Sequence, residues 1–131
     1  MPAEPSVVIE IAPPGDVCVL RLRGRFTAGP DPDYVLGKLD KAKLRSFPNV
    51  LVDLSALASI GSMGIGFLVG LYTSVMRSPE GRFVLAGATA RVREVLALTR
   101  LDSVIPQAVD VAAGLAALRA DTAGKSAGIA S

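Results

Sequence analysis

The sequence contains no histidine, no tryptophan and a single cysteine, Cys18, among its 131 residues. Without histidine it cannot form a Ser-His-Asp triad, a Cys-His pair or a His-containing zinc site. One cysteine forms neither an internal disulfide nor a cysteine metal cluster, so nothing requires an oxidising compartment. The first five residues also lack the basic and apolar regions of a signal peptide. We therefore expect a cytoplasmic, non-enzymatic protein that binds no metal and no other cofactor.

The sequence also has no large excess of positive or negative charge. Lysine and arginine total 14, aspartate and glutamate total 12, and the net charge is +2. This charge is too small to attract nucleic acid or anionic lipid strongly, and 5% aromatic residues provide no stacking platform. We expect no nucleic-acid partner. Hydrophobic residues make up 50% of the chain, which is enough for the core of one domain.

The ends of the chain differ in composition from the rest. Residues 1–5 are proline-rich, and residues 120–131 are small and polar with little to bury. We expect flexible segments at both ends and one domain over residues 6–119.

Strands and helices alternate along this domain. An apolar–polar alternation and turn residues predict two strands joined by a turn, at 6–11 and 17–23. Helical spacing and capping residues predict helices that begin at Asp31, Gly64, Thr89 and Asp110. Further strands are predicted at 50–54, 82–86 and 104–106. This order indicates an α/β sandwich with a mixed central sheet, an antiparallel opening hairpin and about four helices.

Residues 54–76 carry no charged side chain, and a segment of this length could cross a membrane. The segment nevertheless contains several serines and glycines, and it fits a strand end, a loop and a buried helix. We therefore expect no membrane insertion.

The glycines at 61, 64 and 66 follow a predicted strand and precede a helix. Their order differs from the G-x-G-x-x-G of dinucleotide sites, so we interpret them as permitting a tight loop and close packing. An enzyme or nucleotide-binding protein built around Asp53 is the remaining alternative, but no acid–base pair accompanies this residue. We expect Asp53 to be a structural carboxylate that accepts hydrogen bonds from loop amides.

The helix predicted over residues 64–77 is apolar on more than one face. A stripe expected to face the sheet consists of Ile65, Leu68, Val69, Tyr72 and Met76. Phe67 and Leu71 then lie on a second face, which is either an exposed partner surface or a face covered by a neighbouring helix.

Residues 50–55 (VLVDLS) and 60–68 (IGSMGIGFL) resemble the STAS domain family, which includes the anti-sigma factor antagonists. The family pattern is an apolar strand ending near Asp-Leu-Ser, followed by Ile-Asp-Ser-(Ser/Thr)-Gly-x-Gly at a helix start. The strand at 81–86 fits as well, and Gly24-Arg25-Phe26 occupies the position of the family's Gly-x-Leu/Phe, which implies a structural role for Gly24. The resemblance covers roughly residues 6–119 and implies a STAS-like sandwich.

The resemblance implies a regulatory partner. In the antagonists, an anti-sigma kinase phosphorylates the second hydroxyl residue of the motif; the unmodified form binds that kinase and frees the sigma factor. A phosphate adds a charge of about −1.5 to −2 at the helix start. The implied partner surface here consists of Ser59, Gly61, Ser62, Met63, Gly64, Phe67 and Leu71.

The sequence departs from the family pattern at the motif. Gly61 replaces the aspartate, Met63 stands at the phosphorylated position, and Thr27 replaces an acidic residue common in the family. A methionine cannot accept phosphate, so the usual switch is absent or altered, and Ser62 is the alternative phosphorylation site. The alternative functions are an accessory subunit of a lipid-transport ABC system and a stress-signalling scaffold. A first strand at the sheet edge also allows a homodimer.

Overall fold

A five-stranded sheet forms the centre of the molecule. The computed structural model describes residues 6–12, 16–26 and 49–130. The strands are β1 (Ser6–Ala12), β2 (Val17–Phe26), β3 (Asn49–Ile60), β4 (Arg82–Ala86) and β5 (Gln107–Ala108), and they lie in this order across the sheet. β2, β3, β4 and β5 are parallel, whereas β1 pairs with β2 in the antiparallel direction at one edge.

The described residues contain three α-helices: α1 (Ser62–Met76), α2 (Ala90–Leu98) and α3 (Val111–Ala130). The sequence predicted about four. The helix predicted from Asp31, the segment 1–5, the turn residues 13–15 and Thr27 all lie outside the described residues.

Both predicted helix caps that can be examined are confirmed. The Thr89 hydroxyl accepts the Val92 N–H at 3.4 Å before α2, and Asp110 Oδ1 accepts the Ala113 N–H at 2.7 Å before α3. Each cap provides a partner for a backbone donor that the first helical turn leaves unpaired.

The helices cover the two faces of the sheet separately, because successive side chains of a strand point to opposite faces. Cys18, Leu20 and Leu22 of β2 pack in the cluster that contains α1 and α2. Val17 and Val19 pack on the other face, in the cluster that contains Leu118 of α3. All residues of β3 from Asn49 to Leu54 are buried, as in a parallel strand covered on both faces.

α3 approaches the sheet closely at Gly114. A Cβ atom at this position would lie 2.6 Å from Leu51 Cδ1. The glycine therefore lets the helix backbone pack directly on the central strand.

The last strand differs from the prediction. It consists of Gln107 and Ala108 rather than residues 104–106. Pro106 lacks an N–H for strand pairing, and Ile105 is buried in the core with α1 and α2. The backbone is helical through Ala130, which agrees with the high helix propensity of the alanines in this segment; the flexibility expected of residues 120–131 stays a prediction.

The segment without charge is shared between two elements, since residues 54–60 belong to β3 and residues 62–76 to α1. Among the described residues, no helix is long and apolar enough to cross a membrane.

Candidate functional site

The candidate site lies where β3 ends and α1 begins. Only Gly61 separates the two elements, because β3 continues to Ile60 and α1 starts at Ser62. Gly61 has an extended backbone, and its carbonyl accepts the Ile65 N–H at 2.9 Å. The sequence predicted a strand that ends at residue 54 and a helix that begins at Gly64, whereas the strand includes 59–60 and the first turn of the helix includes 62–64.

β3 extends this far because β2 continues beside it through two irregularities in the pairing. Arg21 pairs with Asp53, but Arg23 pairs with Ala56, so β3 contains one extra residue between them. A second shift of the same kind follows after Gly24. Such β-bulges interrupt the alternation of side chains. As a result, two consecutive residues of β3, Ser55 and Ala56, are both exposed.

Gly24 allows the second bulge. Its φ of 86° lies in the left-handed region, which side chains of L-residues rarely adopt. The residue is also buried. This backbone conformation gives a physical basis for the structural role expected of Gly24.

Asp53 is one of two buried polar residues described, with 5% of its surface exposed. Its Oδ1 accepts the Ser55 N–H at 3.0 Å, and its Oδ2 lies 3.9 Å from Nε of Arg21. Arg21 also places Nη2 3.2 Å from Oε2 of Glu10 on β1. The carboxylate therefore contacts a backbone amide, as expected, although that amide belongs to the bulged strand rather than to a loop.

This arrangement has little capacity for acid–base chemistry. The charged neighbour of Asp53 is an arginine, which stays protonated in proteins and cannot act as a general base. Among the described residues, no group of three or more histidine, cysteine, aspartate or glutamate side chains could hold a metal ion.

The orientation of α1 differs from the predicted one. Phe67 and Leu71, assigned to a second face, are 1% exposed and pack against the sheet with Leu68. Val69 and Met76, assigned to the sheet-facing stripe, are 40% and 43% exposed. Phe67 and Leu71 therefore cannot form a partner surface, and the prediction that placed them there is wrong.

The surface at the start of α1 is small. Ser62 is exposed, Ser59 and Gly61 are half-buried, and Gly64 is buried. Residue 63 lies in the first turn of the helix. That turn contains no acidic residue and has no side-chain cap, so the partial positive charge of the helix start remains uncompensated there.

Sequence reasoning gave no role to several residues that the structure exposes nearby. Arg23 and Arg25 of β2 are both exposed beside the bulged part of β3. These arginines alternate with Leu22 and Gly24, and this pattern could have identified them as exposed. No comparable signal existed for Val69 and Met76, because α1 is apolar around much of its circumference.

A profile of the STAS domain matches residues 8–114. The chain belongs to the STAS domain family. This result confirms the family that the motif at residues 50–68 indicated. A search of curated proteins found no match.

Solved structures show the same fold. This STAS domain is similar to an anti-sigma factor antagonist from Mycobacterium paratuberculosis, with a TM-score of 0.77 and 24% identity over 91% of this chain and 97% of that chain. A protein of Thermotoga maritima, proposed to be an anti-sigma factor antagonist, gives a TM-score of 0.73 and 22% identity over 86% and 94% of the two chains. A structure of the stressosome, a signal integration and transduction hub, gives a TM-score of 0.62 and 17% identity over 88% of this chain and 98% of that chain.

Proposed function

We propose that this STAS domain is an anti-sigma factor antagonist, a regulatory protein that binds an anti-sigma kinase and so releases a sigma factor. The main support is the position of residues 61–63, which align with the family's phosphorylated motif and lie at the start of α1, directly after the central strand, where Ser62 is exposed. The absence of a base beside Asp53 favours a binding protein over an enzyme built on this fold.

The partner surface in this proposal is the start of α1 with the end of β3. Its members are Ser59, Gly61, Ser62 and Met63. The glycine and the small hydroxyl side chains leave little bulk, so a partner can approach the backbone closely. Because residues 54–76 carry no charge, this contact depends on shape and apolar area.

The antagonist in this proposal lacks the usual switch. Met63 has no hydroxyl, so the kinase cannot transfer phosphate to it, and the protein stays competent to bind when ATP is present. Ser62 is the neighbouring hydroxyl that remains for regulation. A phosphate on this first helical residue would lie at the positive end of the helix.

Affinity capture with the tagged protein from its native lysate tests the function first. We expect to recover an ATP-binding anti-sigma kinase. The recovered kinase then allows a comparison of Met63→Asp with Met76→Asp, which introduces the same charge at the opposite, exposed end of α1. An unpaired charge in a contact costs about 1–3 kcal/mol, so Met63→Asp should weaken binding roughly tenfold or more.

The control Met76→Asp should bind like the unaltered protein. Equal affinities of both variants would exclude the start of α1 as the partner surface. Failure to recover any kinase would contradict the proposed function itself.

The alternative is a subunit of a scaffold or of a lipid-transport ABC system. The observation that favours self-association is the position of β1 at the edge of the sheet, where one side of a strand can pair with another chain. Light scattering on the purified chain distinguishes the two functions. A monomer supports the antagonist, whereas a stable oligomer, or recovery of transporter subunits without a kinase, supports the alternative.

A further inference from the structure

Two exposed arginines extend the surface at the start of α1. Arg23 and Arg25 lie on the second half of β2 and are exposed, while Leu22 and Gly24 beside them are buried. Residues two apart on a strand are separated by about 6.5–7 Å. The two side chains, here called the arginine pair, are both exposed, on either side of Gly24, after which the pairing with β3 shifts.

Small neighbours leave the arginine pair accessible. Arg23 pairs with Ala56 and Arg25 pairs with Ser59 across the bulged part of β3. The bulge also exposes Ser55, another small residue, next to Ala56. These neighbouring side chains of β3 are small and carry no charge, so they do not cover the guanidinium groups.

The third arginine of β2 behaves differently. Arg21 is held between Glu10 and Asp53, which compensate its charge. In the described part of the chain, no carboxylate lies within ion-pair distance of Arg23 or Arg25. Within the described ranges, the pair therefore consists of two exposed positive charges without a carboxylate partner.

We infer that the arginine pair binds an acidic segment of the protein that contacts the start of α1. Arg25 lies beside Ser59, two residues before Gly61, so the pair is continuous with the proposed partner surface. Planar guanidinium groups bind carboxylates with two parallel hydrogen bonds. Two exposed guanidinium groups close together in sequence can each bind a carboxylate of such a segment. The identity of the partner rests on the proposed function; the acidic chemistry of the ligand does not.

Other anionic ligands fit less well. Nucleic-acid binding requires more positive charge than the net +2 of the chain and gains from aromatic stacking, for which this sequence has little material. Binding to anionic lipid typically requires a cluster of about 4–8 basic residues. Two arginines beside the uncharged end of β3 fit a protein contact that combines a few ion pairs with apolar area.

The test measures binding of a fluorescein-labelled octaglutamate peptide to the full chain by fluorescence anisotropy. The double variant Arg23→Glu/Arg25→Glu should bind roughly tenfold more weakly than the unaltered chain at low ionic strength, because it reverses both charges. The matched control is Arg91→Glu/Arg93→Glu, which reverses two exposed arginines at the same spacing in sequence on α2 and changes the net charge equally. This control should change the affinity by less than about twofold.

Three results would overturn the inference. They are unchanged binding in the Arg23→Glu/Arg25→Glu variant, equal losses in both double variants, and tighter binding of oligothymidine or anionic vesicles than of the peptide. The peptide assay tests this inference and the kinase capture tests the proposed function, so a negative result in one does not decide the other. Peptide binding without a kinase partner would refute the proposed function alone, and kinase binding without a role for the arginine pair would refute this inference alone.

Discussion

Asp53 contacts two groups in different directions, next to the first bulge in the middle of the central strand. It accepts the amide of Ser55 in the bulge and lies next to Arg21 of β2. Nε of Arg21 is buried without a hydrogen-bond partner in the described structure, and its distance of 3.9 Å from Oδ2 of Asp53 exceeds that of a hydrogen bond. The carboxylate is therefore the group that compensates this buried part of the guanidinium.

Two replacements of Asp53 should distinguish how much each of its contacts contributes to stability. Asp53→Ala leaves the Ser55 amide without its acceptor and the buried Nε of Arg21 without its nearby carboxylate, and we expect a loss of about 2–4 kcal/mol in the free energy of unfolding. Asp53→Asn keeps an oxygen for the amide, so its loss should be smaller. Urea denaturation measures both values. Equal losses for the two variants would show that the amide contact contributes little.

At the scale of the element, α1 has one buried face, which the structure places on Phe67, Leu68 and Leu71. Val69 and Met76 lie on the side exposed to solvent. This orientation determines which residues of the helix a partner can reach. It leaves the start of the helix, rather than its middle, as the candidate contact.

Truncation of two apolar residues tests the orientation of α1. Leu71→Ala removes a fully buried side chain and should cost about 2–5 kcal/mol of stability. Val69→Ala, two positions earlier, removes a side chain that is 40% exposed and should cost less than about 1 kcal/mol. Thermal or urea unfolding gives both numbers. A larger loss for Val69→Ala would mean that the helix is rotated as the sequence predicted.

The elements differ in how well the sequence predicted them, for physical reasons. Thr89 and Asp110 mark helix starts because a cap is a local interaction, and both predictions are confirmed. β3 was predicted too short. Its buried residues Leu54, Leu57 and Ile60 recur every three positions, because two bulges interrupt the alternation that identifies a strand.

The candidate site was predicted in part. The motif at residues 50–68 indicated the right family, and the partner surface that it implies stays a prediction. The orientation of α1 was not predictable from hydropathy, because apolar residues occur around the helix and tertiary packing selects the buried face. The exposure of the arginine pair could be read from its alternation with Leu22 and Gly24, whereas the bulges beside it gave no signal in the sequence.

At the scale of the whole molecule, a side-chain pair joins the beginning of the sheet to the last helix. Arg119 of α3 donates from Nε to Oδ2 of Asp16 at 2.9 Å and from Nη2 to Oδ1 at 3.0 Å. These hydrogen bonds lower the pKa of Asp16 below its ordinary value. The pair connects residues that are far apart in sequence, next to the start of β2.

This pKa shift predicts a dependence of stability on pH. A carboxyl group with a lowered pKa in the folded state stabilises the fold above its pKa in the unfolded chain, about 3.9 for aspartate. The contribution is lost as the pH falls through the lower pKa of the folded state. Asp16→Asn should therefore lose less stability than the unaltered chain when the pH falls below about 4.

The pH series needs a control for general acid effects. Glu94→Gln changes an exposed carboxyl group on α2 and should follow the pH dependence of the unaltered chain. An Asp16→Asn variant with that same dependence would show that the pair with Arg119 contributes nothing measurable in solution.

The central claim is that this STAS domain binds an anti-sigma kinase without a phosphorylation switch at residue 63. The most direct test follows the complex with the captured kinase after addition of ATP, and compares the unaltered chain with Met63→Ser by mass spectrometry and by affinity. We expect the unaltered chain to remain bound and without phosphate at residue 63, and the Met63→Ser variant to gain a phosphate there and dissociate. Release of the unaltered chain on addition of ATP would contradict the claim.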